Sequence, residues 1–399
     1  MLNTSSKQHW DIFCAVVDNY GDIGVTWRLA KQLHAEYQIE INLWVDDLHS
    51  FSHILPQLNP DLATQNFHGV NIFQWNSPFN IEYKSGSVLI EAFSCELPSQ
   101  VVAQIEAIHK TNKDKTTNSN NILPPLWINL EYLCAEDWVD GCHGLPSMQT
   151  SGLKKYFYFP GFSQKSGGLI CEHDLFNQRD RWQSDSSNKL SLFKQLGLTG
   201  INADDMVVSV FSYESAALTN LVNHWSHSPQ TIHALIPMGK SLTSIIDLLP
   251  VTIDEIQPSQ QYRIKNLVIH ILPMTDQNGF DRLLWSCDVN IVRGEDSFLR
   301  AQWAARPFIW HIYPQEEDYH LVKLQAFVSI YTNKLDDGLA NTFSEVNFAF
   351  NQQRVDISDY WQQIISVQLP MQLHAKDWAI SAKNNADLAT RLVQFIKTS

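Results

Sequence analysis

Apolar residues fall in short runs along this chain, and each run ends in a polar turn. Residues 12–17, Ile-Phe-Cys-Ala-Val-Val, are continuously apolar, the pattern of a strand buried on both faces. Val25, Leu29 and Leu33 then recur every four residues with Ala30 beside them, the buried stripe of an amphipathic helix. Residues 39–45 alternate and predict a second strand, closed by Asp46-Asp47. Further strands are predicted at 72–75, 87–93, 126–130 and 156–159, and a helix at 101–109. The tract 111–121 has no apolar residue and reads as a solvated loop tip. The Gly/Ser-rich stretch 160–168 fits either a plain hairpin or a loop that wraps a substrate.

The second half repeats the rhythm. Predicted strands at 206–211, 231–236, 267–272, 289–292 and 308–312 alternate with helices at 215–225, 241–249, 279–287 and 295–305. Such alternation implies parallel, doubly wound α/β sheets. Residues 179–189 are polar and lack periodicity, which places a domain boundary there: 1–185, then 186–375. A last helix over 378–396 carries Ala382, Ala386, Leu388, Leu392 and Phe395 on one side. It has no strand of its own, so 376–399 is expected to pack back on the first domain.

Composition supports two folded cores: 399 residues, 44% hydrophobic, with 13 Trp. The net charge of −14 argues against nucleic acid or an anionic membrane as a partner, since phosphates would be repelled. It suits a cationic partner group. Six scattered cysteines without a Cys-x-x-Cys pair read as reduced thiols of a cytoplasmic protein. Residues 1–10 are polar, without a signal-peptide core, and no apolar run approaches the ~20 residues that span a bilayer.

The loop between the first strand and first helix reads Asp18-Asn19-Tyr20-Gly21-Asp22-Ile23-Gly24-Val25. Ligands of open α/β sheets bind at such strand ends. A phosphate-cradling loop presents bare N–H groups and a cation. Asp18 and Asp22 instead put two carboxylates in one turn, suited to holding a cation or taking a proton. Alternatively, Asp22 caps the helix. A second strand-to-helix junction, Arg293-Gly294-Glu295-Asp296-Ser297-Phe298-Leu299-Arg300, offers a helix N-terminus, a hydroxyl and two arginines to an anion. Glu295 and Asp296 would suit ribose hydroxyls better than phosphates, or simply complement the helix dipole. His311 and His320 flank a third junction, without a spacing that marks them as catalytic.

Several motifs are missing. There is no Gly-x-Gly-x-x-Gly, and Gly239-Lys240-Ser241 fails as a Walker A loop because Ala234 stands where the first glycine belongs. There is no His-Glu-x-x-His, no zinc-type Cys/His spacing and no Asp-x-Asp. A nucleotide diphosphate bound here would be neutralised by helix dipole and side chains, and no metal or cofactor is expected.

Taken together, Asp-Asn-x-Gly-Asp-x-Gly-Val and Arg-Gly-Glu-Asp-Ser-Phe resemble the bacterial elongation factor P arginine rhamnosyltransferases. The stretches 129–133, 161–170 and 311–315 match as well. The resemblance spans nearly the whole chain, with 111–121 as an insertion. It implies a GT-B glycosyltransferase, two Rossmann-like domains facing across a cleft. It implies transfer of rhamnose from dTDP-β-L-rhamnose to an arginine of elongation factor P, with inversion and without a metal. By motif, Asp22 resembles the general base and Asp18 a second essential carboxylate. Glu295, Asp296, Ser297 and Arg293 resemble donor-binding residues. Phe280 resembles an aromatic that packs on thymine, and Tyr213 and Gln277 are looser donor-site matches. The acids fit this chemistry, because a guanidinium has a pKa above ~12 and needs a carboxylate to orient it and remove a proton. The other readings are a GT-B transferase acting on a small molecule or glycan, and a nucleotide-sugar-binding partner of translation without turnover.

Overall fold

The computed structural model describes residues 9–17, 20–76, 83–114, 123–202, 204–383 and 386–399. Asp18 and most of the 111–121 insertion lie outside the described residues. The chain divides into two compact units, residues 1–173 with 383–399, and residues 174–382.

In the first unit the described residues form an eight-stranded sheet. Its strands are β1 Trp10–Cys14, β2 Ile41–Val45, β3 Thr64–Phe67, β4 Val70–Gln74, β5 Val88–Ala92, β6 Leu126–Leu130, β7 Pro146–Met148 and β8 Lys154–Tyr158. The order is β3-β4-β2-β1-β5-β6-β8-β7, parallel except for the two edges, where β3 and β7 run antiparallel to their neighbours. β1 is wholly buried and takes in only 12–14 of the apolar run 12–17, whose end, Val17, is exposed. Phe13 stacks on Trp44 at 5.4 Å within a core that includes Tyr83, Leu89, Val101, Ile105 and Trp127. Asp11 is the polar exception in β1. Its carboxylate accepts from Trp44 Nε1 (3.0 Å), Tyr83 Oη (3.0 Å) and the Gly86 N–H (2.9 Å), so its burial is satisfied.

The second unit holds a six-stranded sheet: β9 Met206–Val210, β10 Ile232–Pro237, β11 Gln261–Ile264, β12 Leu267–Leu272, β13 Val289–Arg293 and β14 Phe308–His311. The order is β11-β12-β10-β9-β13-β14, with only β11 antiparallel. Four helices, Tyr319–Thr332, Asp337–Asn351, Ile357–Ser366 and Gln368–Lys383, follow the sheet and lay a dense aromatic layer around Phe308, Phe327 and Tyr331.

Three expectations need correction. First, the polar tract at 179–189 does not hold the domain boundary. It lies within helices Leu175–Gln183 and Ser186–Gln195, at the start of the second unit. Hydrogen bonds hold it there together with the packing of Trp182 on the core. Buried Arg179 donates to the Trp303 carbonyl (2.9 Å), Trp182 Nε1 to Ser286 Oγ (2.9 Å), and Gln183 to the carbonyls of Trp285 (3.1 Å) and Ala304 (3.0 Å). The division therefore falls at 173/174. Second, 241–249 is not one helix but a single turn, Lys240–Thr243, and a 3-10 turn, Ile246–Leu248. Third, the last helix is two. Gln368–Lys383 belongs mostly to the second unit and Leu388–Thr398 to the first.

Leu388–Thr398 closes the first unit by polar contacts. Asp387 caps it through the Thr390 N–H (3.0 Å) and accepts from Gln32 of helix Gly21–Tyr37 (3.1 Å). Tyr37 Oη and Thr390 Oγ1 lie 2.6 Å apart. Arg391 Nη1 donates to the carbonyls of Ser163 (3.2 Å), Gln164 (2.9 Å) and Ser166 (2.6 Å). The Gly/Ser stretch is thus pinned to the C-terminal helix. Asp387→Ala removes the cap and the Gln32 bond together. It is expected to cost about 1–2 kcal/mol of first-unit stability, read as a lower denaturation midpoint; an unchanged midpoint would show that the helix is held by apolar packing alone.

Candidate active site

In both sheets the winding reverses beside the first strand. From β1 it runs outward through β2 to β4, then restarts at β5 and runs the other way. From β9 it runs through β10 to β12, then restarts at β13. The crevice at the carboxyl ends of the two strands flanking such a reversal is where open α/β sheets bind ligands. The two junctions picked out by sequence, after β1 and after β13, both open onto these points.

At the first reversal, Asp22 lies in the first turn of helix Gly21–Tyr37. It is not the cap. Tyr20 occupies that position and makes no side-chain cap bond. Asp22 is 2% exposed. Its Oδ2 accepts the Val17 N–H (2.9 Å), which folds the loop back, and its Oδ1 accepts from Tyr132 Oη (3.1 Å). Tyr132 follows β6 and stacks on Phe93, which follows β5, with ring centroids 4.5 Å apart. Phe93 and Ser94 hold left-handed φ values of 57° and 56°. That conformation is costly for side-chain-bearing residues and clusters at functional sites. Two bonds hold it: Phe93 N–H to the Leu130 carbonyl (2.7 Å) and Ser94 N–H to Asn129 Oδ1 (3.2 Å). More acid lies alongside. Glu91 is buried and paired with Lys155 (3.1 Å). Burial, and then the charge of Glu91, raises the pKa of Glu131. Negative charge is therefore concentrated at this sheet end, the environment a cation would relieve.

At the second reversal the signs change. Gly294 turns the chain at φ 61°, a conformation glycine adopts freely. The Arg293 guanidinium sits 5.0 Å from the centre of the Tyr213 ring and donates to the Ser212 carbonyl (3.3 Å). Lys240 Nζ lies 6.0 Å from the same ring. Ser241 fixes the lysine's turn, accepting the Ser212 N–H (2.7 Å) and donating to the Ser212 carbonyl (3.0 Å). Behind Tyr213, His311 Nδ1 accepts the Tyr213 N–H (3.2 Å). Burial, followed by the Arg293 charge, pushes its pKa to about 3, so this ring is neutral and structural.

The remaining sequence-picked residues divide between this crevice and its supports. Glu295 takes the N-cap position of helix Asp296–Trp303, without a side-chain cap bond, and Asp296 opens the helix. Ser297 Oγ is turned inward: it hydrogen-bonds the Arg293 carbonyl and accepts the Arg293 N–H (3.2 Å). Ser297 thus shapes the turn that presents Arg293. Phe280 packs edge-on against Phe211 at 4.9 Å, and Gln277 opens the same helix, Gln277–Ser286, and is buried. Arg300, taken from sequence as a second cation for an anion, is not available. It is 2% exposed and makes a two-pronged pair with buried Asp281 (2.8 and 2.6 Å). Lys240 takes the place expected for Arg300. Sequence reasoning passed over it because its loop was weighed only as a Walker motif. Among the described residues, no group of three or more His, Cys, Asp or Glu is disposed to hold a metal.

A family model described as "Elongation-Factor P (EF-P) rhamnosyltransferase EarP" matches residues 10–397. A protein-arginine rhamnosyltransferase of Shewanella oneidensis is 60% identical over the full length of both chains. One from Pseudomonas aeruginosa is 41% identical over 97% of this chain and 98% of its own. A solved structure, described as the structural basis for EarP-mediated arginine glycosylation of translation elongation factor EF-P, is 28% identical. It superposes with a TM-score of 0.67 over 98% of this chain and 100% of its own.

The Asp281–Arg300 pair yields a sharp contrast. Arg300→Ala strands a buried carboxylate and is expected to cost about 3–5 kcal/mol of stability. Arg293→Ala, at the crevice, is expected to leave the denaturation midpoint within about 1 kcal/mol of wild type. Equal midpoints for the two variants would remove the structural assignment of Arg300.

Proposed function

The chain belongs to the EF-P rhamnosyltransferase family, and from that premise we propose that it moves rhamnose from dTDP-β-L-rhamnose to an arginine side chain of EF-P, inverting the anomeric carbon. It is a glycosyltransferase of GT-B fold. The observation that carries the finer reading is the buried Asp22 carboxylate at the first reversal point, set beside Tyr132 and close to further acids. A phosphate would be repelled there and a guanidinium held.

In this reading the first unit takes the acceptor arginine and the second the donor. Asp22 pairs with the guanidinium and accepts one proton as the C–N bond forms and the bond from the anomeric carbon to the diphosphate breaks. Asp18 is the second carboxylate of that loop. Arg293, Lys240 and the N–H groups opening helix Asp296–Trp303 meet the diphosphate. Glu295 and Asp296 accept from ribose hydroxyls, Phe280 packs on the base, and Tyr213 and Gln277 line the pocket. Ser297 contributes through the turn it holds. No helix among the described residues is long and apolar enough to cross a membrane. EF-P as acceptor places the reaction in the cytoplasm.

The test is the intact mass of purified EF-P after incubation with enzyme and dTDP-rhamnose. The expected result is one deoxyhexose, mapped to arginine. Modification of a small molecule or glycan in place of EF-P would replace this reading. Asp22→Asn keeps an acceptor for the Val17 N–H but cannot take a proton. It is expected to slow single turnover by roughly 10²-fold or more while donor affinity persists. Wild-type turnover would move the base to another carboxylate.

We also propose that no metal takes part, because the sequence lacks Asp-x-Asp and two cations already stand at the second reversal point. Activity should survive EDTA; loss restored by Mg²⁺ or Mn²⁺ would overturn this.

A further inference from the structure

Tyr132 is poorly explained as a structural residue. Its ring is 48% exposed, so it adds little to the core. Yet its hydroxyl reaches one oxygen of a carboxylate that is 2% exposed. The parts that aim it come from three strand ends. Asp22 follows β1, Phe93 follows β5, and Tyr132 follows β6, the strand next to β5. Phe93 is held beneath the phenol in a left-handed conformation, φ 57°, that its side chain would not choose. The strand ends below are cross-tied. The Glu131 N–H donates to the Tyr158 carbonyl (2.9 Å), and Asn129 binds both Ser94 and Glu131. Backbone strain on one loop and stacking on another thus serve to place a single O–H.

We propose that Tyr132 is a positioning residue for the transfer: its phenol O–H fixes the plane of the Asp22 carboxylate for the incoming arginine. The inference rests on the reading of Asp22 as the base. The division of labour follows from the two oxygens. Oδ2 is bound to the Val17 N–H, which is backbone and stays in place. Oδ1 is bound to a side chain on the exposed side of the site. Without the phenol, Oδ1 loses the Tyr132 donor while Oδ2 keeps the Val17 N–H, so the plane of the carboxylate is less firmly set and fewer encounters present a lone pair to the guanidinium N–H. A carboxyl torsion is soft, so orientation must come from its hydrogen bonds. The phenol takes no proton in this scheme. It is the donor toward Asp22.

The experiment is a double-mutant cycle on the full chain with EF-P and dTDP-rhamnose, read by single turnover. Tyr132→Phe keeps the stack on Phe93 and removes only the O–H. Loss of one hydrogen bond to a charged group corresponds to roughly 10-fold in rate. The expected result is a fall of about that size in kcat, with donor KM and melting temperature unchanged. In the Asp22→Asn background the same substitution is expected to change the rate less than about 2-fold, because the group it acts through is gone. Wild-type kcat for Tyr132→Phe, beside a slow Asp22→Asn, overturns the inference and leaves the base reading standing. An equal fall in both backgrounds overturns it too, since Tyr132 would then act independently of Asp22. Wild-type turnover by Asp22→Asn overturns the base reading, and the inference with it.

Discussion

Parallel strands can be joined only by crossovers, and those crossovers are right-handed. A sheet that winds outward from its first strand must restart beside that strand to cover the other side. The restart leaves two neighbouring loops diverging to opposite faces, and a crevice between them. In this chain the constraint acts twice. It decides that the loops after β1 and β5 share one end of the first sheet, and the loops after β9 and β13 one end of the second. Nothing else in the fold would bring Asp22 near Phe93 and Tyr132, or Arg293 near Tyr213 and Lys240.

The two crevices carry opposite charge. The first gathers Asp22 and Glu131, with Lys155 committed to Glu91. The second gathers Arg293 and Lys240 around one tyrosine. Two cations on one ring repel each other, an arrangement that an anion bound between them would relieve. A transferase that takes a cationic acceptor and an anionic donor needs this separation of sign. For the proposed nucleotide diphosphate donor, the net charge of −14 is no obstacle, because the positive field is local, within about a Debye length.

Much of this was legible in the sequence, and the failures share a cause. The largely apolar runs at 12–17, 126–130 and 267–272 gave their strands despite the buried Asn129 and His270, although only 12–14 of the first run lies in β1. The short edge strands β3, β7 and β11 went unread, since one exposed side leaves too little pattern in three or four residues. The boundary was placed at 179–189, too late, because Arg179, Trp182 and Gln183 make polar bonds to partners distant in sequence and leave no periodic pattern. The same blindness applies at the site. Asp22 was visible as an acid in a ligand-binding turn. Its relation to Tyr132, 110 residues away, was not. Arg300 was visible as a cation, but only the fold reveals that Asp281 has already claimed it.

In the proposed role of Asp22 as the base, its geometry also bears on when the proton moves. Asp22 is a carboxylate in the first turn of its helix, accepting a backbone N–H. Such a carboxylate is a weak base, many orders of magnitude too weak to deprotonate a guanidinium of pKa above ~12 in advance. Early proton transfer is therefore closed to it. What it can do is hold the cation and wait. As the attacking nitrogen commits its lone pair to the anomeric carbon, that nitrogen would gain a second positive charge unless a proton leaves with the motion. At that moment its N–H becomes strongly acidic, and a weak base a hydrogen bond away is sufficient. Proton loss is thus coupled to C–N bond formation, and the demand on Asp22 is for placement more than for basicity. That demand accounts for a carboxylate tied at both oxygens, in a turn whose neighbours spend backbone strain to hold it.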